Sequence, residues 1–136
     1  AGAAVVTPLT REFGGTNATS AQNARISLGN TGFATSGNGN HTITAAECPL
    51  IMLAAVLTAA RTWTLPLANA VEAGRFLTIA DAGGINGVNT LTVQRQGADT
   101  FVGIGVAANA FVLPVQYSAI RVVSDGSAGW YLVHKI

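Results

Sequence analysis

The spacing of hydrophobic and polar positions changes character about a third of the way along the chain. Residues 1–13, AGAAVVTPLTREF, keep no period, and Pro8 blocks continuation of any helix, so this stretch is predicted to be an extended arm. A helical period follows. Thr19 with Gln22 three residues later fits a capping box, Ala21, Ala24 and Leu28 share one face with Arg25 beside it, and Gly29 takes the C′ position. This predicts a helix of about two turns, too short to hold without docking on something. Asn30 to Asn40, NTGFATSGNGN, reads as loop by composition.

From His41 onward the period is two. HTITA alternates. The run from Leu50 has Ala, Leu and Met content that suits a helix, but strict alternation in RTWTLP favours two strands. These are Leu50–Leu57 and Arg61–Leu65, joined through Thr58-Ala59-Ala60. Ala68–Ala73 reads as a brief turn. Arg75–Ala80 is a strand with Phe76, Thr78 and Ala80 on one face and Leu77 and Ile79 on the other. Asn86-Gly87 marks a tight loop, and TLTVQRQ alternates again. One or two short strands broken by Gly103 and Gly105 follow, then QYSAIRVVSD, a turn, and a closing WYLVHKI. Short strands at roughly ten-residue spacing with Gly and Asn turns predict an all-β fold. The expected form is a jelly-roll or β-sandwich-like domain over 41–136, preceded in 1–40 by an N-terminal arm, one short helix and a loop.

Composition narrows the partners. Only 10% of the 136 residues are charged, against about 25% in ordinary soluble chains, and seven basic residues nearly cancel six acids. No basic patch exists for nucleic acid or for an anionic membrane surface. The longest charge-free apolar run, Cys48 to Ala60, is too short to span a bilayer. A weakly charged surface suits faces covered by partners. Six of the seven basic residues are Arg, namely Arg11, Arg25, Arg61, Arg75, Arg95 and Arg121, and Arg is the cation favoured at interfaces. A start at Ala1, with no basic leader region, reads as a whole gene product with its initiator trimmed.

Candidate chemistry is sparse. Single Cys48 rules out an internal disulfide framework and reads as a small buried hydrophobe. His134 reads as a solvent-facing strand residue. Asp81, Asp99 and Asp125 each open a Gly-containing loop, which is the ordinary turn use of Asp and not the spacing of a hydrolytic pair. DAGGINGVN lacks the alternating ligands of a calcium loop, and GIG at Gly103–Gly105 lacks the rest of a phosphate loop. No catalytic, cofactor-binding or metal-binding residues are expected. Trp63 and Trp130 read as core or interface aromatics in preference to sugar-stacking platforms.

Two stretches carry a resemblance. FGGTNATSAQNARISLG is similar to a segment of tailed-phage fibre proteins at Gly14, Gly15, Thr16, Ala18, Thr19, Ala21, Ala24, Arg25, Leu28 and Gly29. Asn17 stands where Gly is usual, and Asn also tolerates left-handed backbone. The stretch LTAARTWTLPLANAVEAGRFLTIADAGGINGVNTLTVQRQGADTFVG, followed by SAIRVVSDGSAGWYLV, resembles a β-rich domain of phage fibres and virion-surface proteins. Within that class, a 13.8 kDa chain with an arm and no catalytic acids resembles a small capsid decoration, or cement, protein.

That resemblance implies a non-enzymatic structural role: bridging major capsid protein subunits on the outer capsid surface of a virion, after synthesis in the host bacterial cytoplasm. It implies a homo-oligomer, trimer or dimer, with no cofactor. The alternative is a tail or head fibre component that binds a host surface receptor. Val5, Val6, Pro8, Leu9, Arg11, Phe13 and Arg25 are the expected capsid-contact residues.

Overall fold

The chain divides into Ala1–Gly32 and Phe33–Ile136. The computed structural model describes residues 32–48, 50–84 and 88–135, and the fold below is that of the second part. The extended arm, the short helix and all seven expected capsid contacts (Val5, Val6, Pro8, Leu9, Arg11, Phe13 and Arg25) lie outside the described residues.

Ten strands form two sheets. In chain order they are β1 (Gly32–Ser36), β2 (His41–Thr42), β3 (Leu50–Ala54), β4 (Arg61–Thr64), β5 (Phe76–Asp81), β6 (Leu91–Gln94), β7 (Thr100–Val102), β8 (Ala110–Val112), β9 (Ala119–Ser124) and β10 (Gly129–Lys135). The first sheet has the order β1-β3-β5-β9-β10-β7 and the second β2-β4-β6-β8. The chain therefore changes sheet at every connection from β1 to β9, and only the β9–β10 hairpin stays in one sheet.

This winding explains the pairing. β2, β4 and β6 run parallel, as do β3 and β5, because each return to a sheet passes first through the other sheet. Parallel neighbours need a crossover connection, and here the opposite sheet supplies it. A jelly roll is built from antiparallel neighbours; here β6–β8, β5–β9 and β9–β10 are antiparallel, while β7 closes on β10 in parallel.

Three sequence expectations are corrected. The Asn30–Asn40 loop contains strand β1, whose pairing with β3 overrides a loop-like composition. The strand expected over Leu50–Leu57 ends at Ala54, although Leu57 still reaches the core. The two strands flanking Thr58-Ala59-Ala60 are not neighbours: β3 lies in the first sheet and β4 in the second. Among the described residues the helical pieces are two single 3-10 turns, Ala45–Glu47 and Ala68–Ala70, the latter inside the expected turn.

Alternation decides what is buried. In β5, Leu77, Ile79 and Asp81 point inward while Phe76, Thr78 and Ala80 are half-buried on the other face. Met52 and Ala54, Ile120 and Val122, Phe101 and Trp130 project from the first sheet; Trp63, Leu91, Val93 and Phe111 project from the second. All belong to one hydrophobic cluster, so the sheets share a core. The indole Nε1 of Trp130 donates to the carbonyl of Pro66 at 2.7 Å, which satisfies its polar atom at no cost in burial.

Two tight places explain glycines. Gly126 opens the β9–β10 turn with φ 75°, and a Cβ there would lie 2.7 Å from the Ala73 amide nitrogen. A Cβ on Gly83 would stand 2.6 Å from the backbone nitrogen of Val56.

Candidate interaction surfaces

The acids that sequence reading set aside as turn residues hold the loops together. Asp81 is buried; its Oδ1 accepts from the Gly84 amide at 3.0 Å and its Oδ2 from the Tyr117 amide at 3.2 Å. It thereby ties two loops far apart in sequence, and Tyr117 sits there with φ 59°. Asp99 is also buried, and its Oδ2 accepts from the Ala68 amide at 2.7 Å. The Ser124 hydroxyl donates to the Ala68 carbonyl at 3.0 Å, so the first residue of the 3-10 turn is held at both its amide and its carbonyl. Asp125 Oδ1 accepts from the amides of Ser127, Ala128 and Gly129 at 2.8, 3.0 and 3.0 Å. These bonds, Ser127 foremost, hold its carboxyl below the usual carboxylate range.

Cys48 is buried, and burial, reinforced by the nearby Glu47 carboxylate, pushes its thiol up to about 11. Trp63 and Trp130 are each 0% exposed, so neither is a platform for a sugar ring. Among the described residues, no three His, Cys, Asp or Glu side chains gather as a metal site, and no helix is long and apolar enough to cross a membrane.

The four described arginines are engaged within the chain. Arg61 Nε donates to Asn38 Oδ1, Arg75 Nη1 to the Cys48 carbonyl, and Arg95 Nη1 to the Asp99 carbonyl. The Arg121 guanidinium lies 4.8 Å from the centre of the Phe76 ring, with Nε 3.3 Å from Thr78 Oγ1. The arginine bias of the composition thus serves loop closure and ring stacking in this part of the chain.

Two outward faces of the described residues differ in character. The outer face of the first sheet carries a row across four strands: Phe76 opposite Val123, Val123 opposite Tyr131, and Tyr131 opposite Val102. Tyr131 is 41% exposed and Val102 45%. Beside this row the β9–β10 register shifts between Leu132 and His134, and Val133 is 56% exposed. Ile104, 79% exposed, joins Leu132, Val133, His134 and Lys135 around a hollow of about 260 Å³. Sequence reading missed this corner because its apolar residues come from two separate segments.

The second sheet is different. Its outer face presents Thr62 opposite Thr92, and Thr42 opposite Thr64 and Gln94. Asn40, just before β2, extends the first row, because its Oδ1 accepts from the Thr62 amide at 2.9 Å. Asn40, Thr42, Thr62, Thr64 and Gln94, with His41, line a shallow groove of about 190 Å³. The only sign of it in the sequence is the repeated Thr-x-Thr of TIT, TWT and TLT.

Comparison of the sequence with protein-family models gives no match, and comparison with curated proteins gives none either.

Proposed function

We propose that this chain is a non-enzymatic structural protein of a tailed-phage particle that decorates the outer surface of the head and stabilises it by bridging major capsid protein subunits. The observation that carries this reading is the exposed apolar surface of Tyr131, Val102, Val133 and Ile104 on a chain with only 10% charged residues. Contiguous exposed apolar patches mark protein contact surfaces. A paired sheet offers such a patch already ordered, so little conformational entropy is lost on docking.

In this reading the protein works as a homo-oligomer, trimer or dimer, so that several modest contacts add up across neighbouring capsid subunits. The two sheets pack as a sandwich around the shared core, wound in place of a jelly roll's antiparallel ladder. The expected contacts Val5, Val6, Pro8, Leu9, Arg11, Phe13 and Arg25 belong to the same proposal as a second attachment. Partners are proteins; a chain with seven basic residues and no basic run has little to offer nucleic acid or a membrane surface.

The test is co-sedimentation of the full chain with purified undecorated heads. Saturable binding that raises the thermal resistance of the heads supports the assignment. Absence of the protein from purified virions, together with no binding to heads, overturns it. The second reading, a fibre component that recognises a host receptor, is favoured by one observation, the polar groove on the second sheet.

A further inference from the structure

We propose that the groove on the outer face of the second sheet is a binding site for a neutral pyranose sugar, held by Asn40, Thr42, Thr62, Thr64 and Gln94. The site is independent of the capsid assignment, since it uses the opposite sheet.

Its chemistry follows from its lining. The groove holds about 190 Å³, room for one sugar ring. None of the five residues carries a charge. The single titratable side chain, His41, has its Nε2 3.1 Å from both carboxylate oxygens of Glu47. Glu47 Oε2 also accepts from the Thr44 amide at 2.8 Å. Among the described residues an anionic ligand would meet no Lys or Arg in the lining, and a cation would meet no carboxylate that is not already bonded. An apolar ligand would strip water from amides and hydroxyls without replacing it. A neutral polyol is what remains.

The polar atoms also offer the right mixture. Asn40 Oδ1 is taken by the Thr62 amide, which orients the side chain and leaves its two Nδ2 hydrogens available. Gln94 Nε2 donates to Thr64 Oγ1 at 3.1 Å, which leaves the Gln94 carbonyl as an acceptor and the Thr64 hydroxyl hydrogen as a donor. The hydroxyls of Thr42 and Thr62 can act as either. Parallel pairing sets these groups in rows about 4.8 Å apart across the strands, on backbone that does not have to rearrange. Sugar hydroxyls both donate and accept, so alternating fixed donors and acceptors match them. His41 is paired with the buried Trp63, and its imidazole stands edge-on to that indole with ring centres 6.1 Å apart. With no aromatic face along the floor the affinity is expected to be weak, in the millimolar range. Multiple copies on one particle would raise it by avidity.

The test is an NMR titration of the full chain with glucose, galactose, mannose and N-acetylglucosamine, with sialic acid as the charged comparator. The expected result is saturable shifts at the amides of Asn40, Thr42, Thr62, Thr64 and Gln94 with at least one neutral sugar. Gln94→Leu, or Thr64→Val should the first fail to fold, is expected to weaken binding about fivefold or more with an unchanged melting temperature. Four results overturn the proposal: no saturable shift with any neutral sugar, shifts centred elsewhere, preference for sialic acid, or unchanged affinity in the folded variants. Loss of head binding by itself bears only on the capsid reading and not on this site.

Discussion

On the first sheet, Phe76, Val123, Tyr131 and Val102 stand side by side across four strands and face outward. On the second, the equivalent rows are Asn40, Thr62 and Thr92, then Thr42, Thr64 and Gln94. Both sheets send large apolar residues into the same core, and both are built by the same winding chain. The difference lies only in the outward positions, which folding leaves free. An apolar outer row costs solubility unless something covers it, whereas a Thr and Asn row is content in water. On this difference rest the two proposals made above, a protein surface as the partner of the first sheet and a neutral, hydroxylated ligand for the second.

The largest effect should erase the comparison altogether. Trp130→Ala removes a fully buried indole from the shared core and is expected to cost about 3–5 kcal/mol. Thermal denaturation should show both faces lost in a single transition. Separate transitions for the two sheets would contradict a common core.

Next comes Asp99→Ala. It leaves the Ala68 amide without its buried acceptor and should cost about 1–3 kcal/mol, measured by urea denaturation. Because the Ser124 hydroxyl still holds the Ala68 carbonyl, the fold should survive.

The paired variant Val102→Asp with Val133→Asp separates the faces. Binding to heads should fall about tenfold or more, near 1.4 kcal/mol, while stability changes by about 0.5 kcal/mol or less. Thr62→Val on the second sheet should leave head binding unchanged. Equal losses from both faces would refute the division of labour.

Smaller effects come from titration. The Cys48 thiol is held protonated in the fold, with its pKa raised from 9.0 to about 11. Between those values the unfolded chain loses its proton first, so stability is complete below about pH 9 and declines as pH rises toward 11. The expected loss is roughly 1 kcal/mol by about pH 10, and Cys48→Ala should flatten it in a pH series of melting temperatures. Asp125 shows the opposite sign and the least effect. Its folded carboxyl titrates below 3.8, so its contribution is present above that value and disappears as pH falls below it. Asp125→Asn should slightly reduce the acid sensitivity of the β9–β10 turn and leave both faces unchanged.

Much of the architecture was legible in the sequence because alternation is a local signal. The Arg75–Ala80 stretch was expected to set Phe76, Thr78 and Ala80 opposite Leu77 and Ile79, and the strand found there, Phe76–Asp81, shows that alternation. Asp125 was legible as the opening of a turn and Trp130 as a core or interface aromatic, and the structure has a turn there and a buried indole. β1 was not legible, because Gly-Phe-Ala-Thr-Ser has loop-like composition and is a strand by virtue of its neighbour. The surfaces were barely legible. Tyr131, Val102 and Ile104 are apart in sequence, and the Thr-x-Thr repeats carry no register by themselves.

The sequence by itself determined that the chain makes short strands, which side of each strand is apolar, and that few charges are available for nucleic acid or membrane. Periodicity, turn residues and composition act over a few residues, so they can be read without the fold. Only the tertiary structure decided that successive strands alternate between two sheets and run parallel within them. Only the structure, likewise, put both tryptophans out of reach of a ligand and set Thr, Asn and Gln side chains side by side. Those outcomes depend on which strands become neighbours. That choice is made by packing one core across long sequence separations, and no local pattern encodes it.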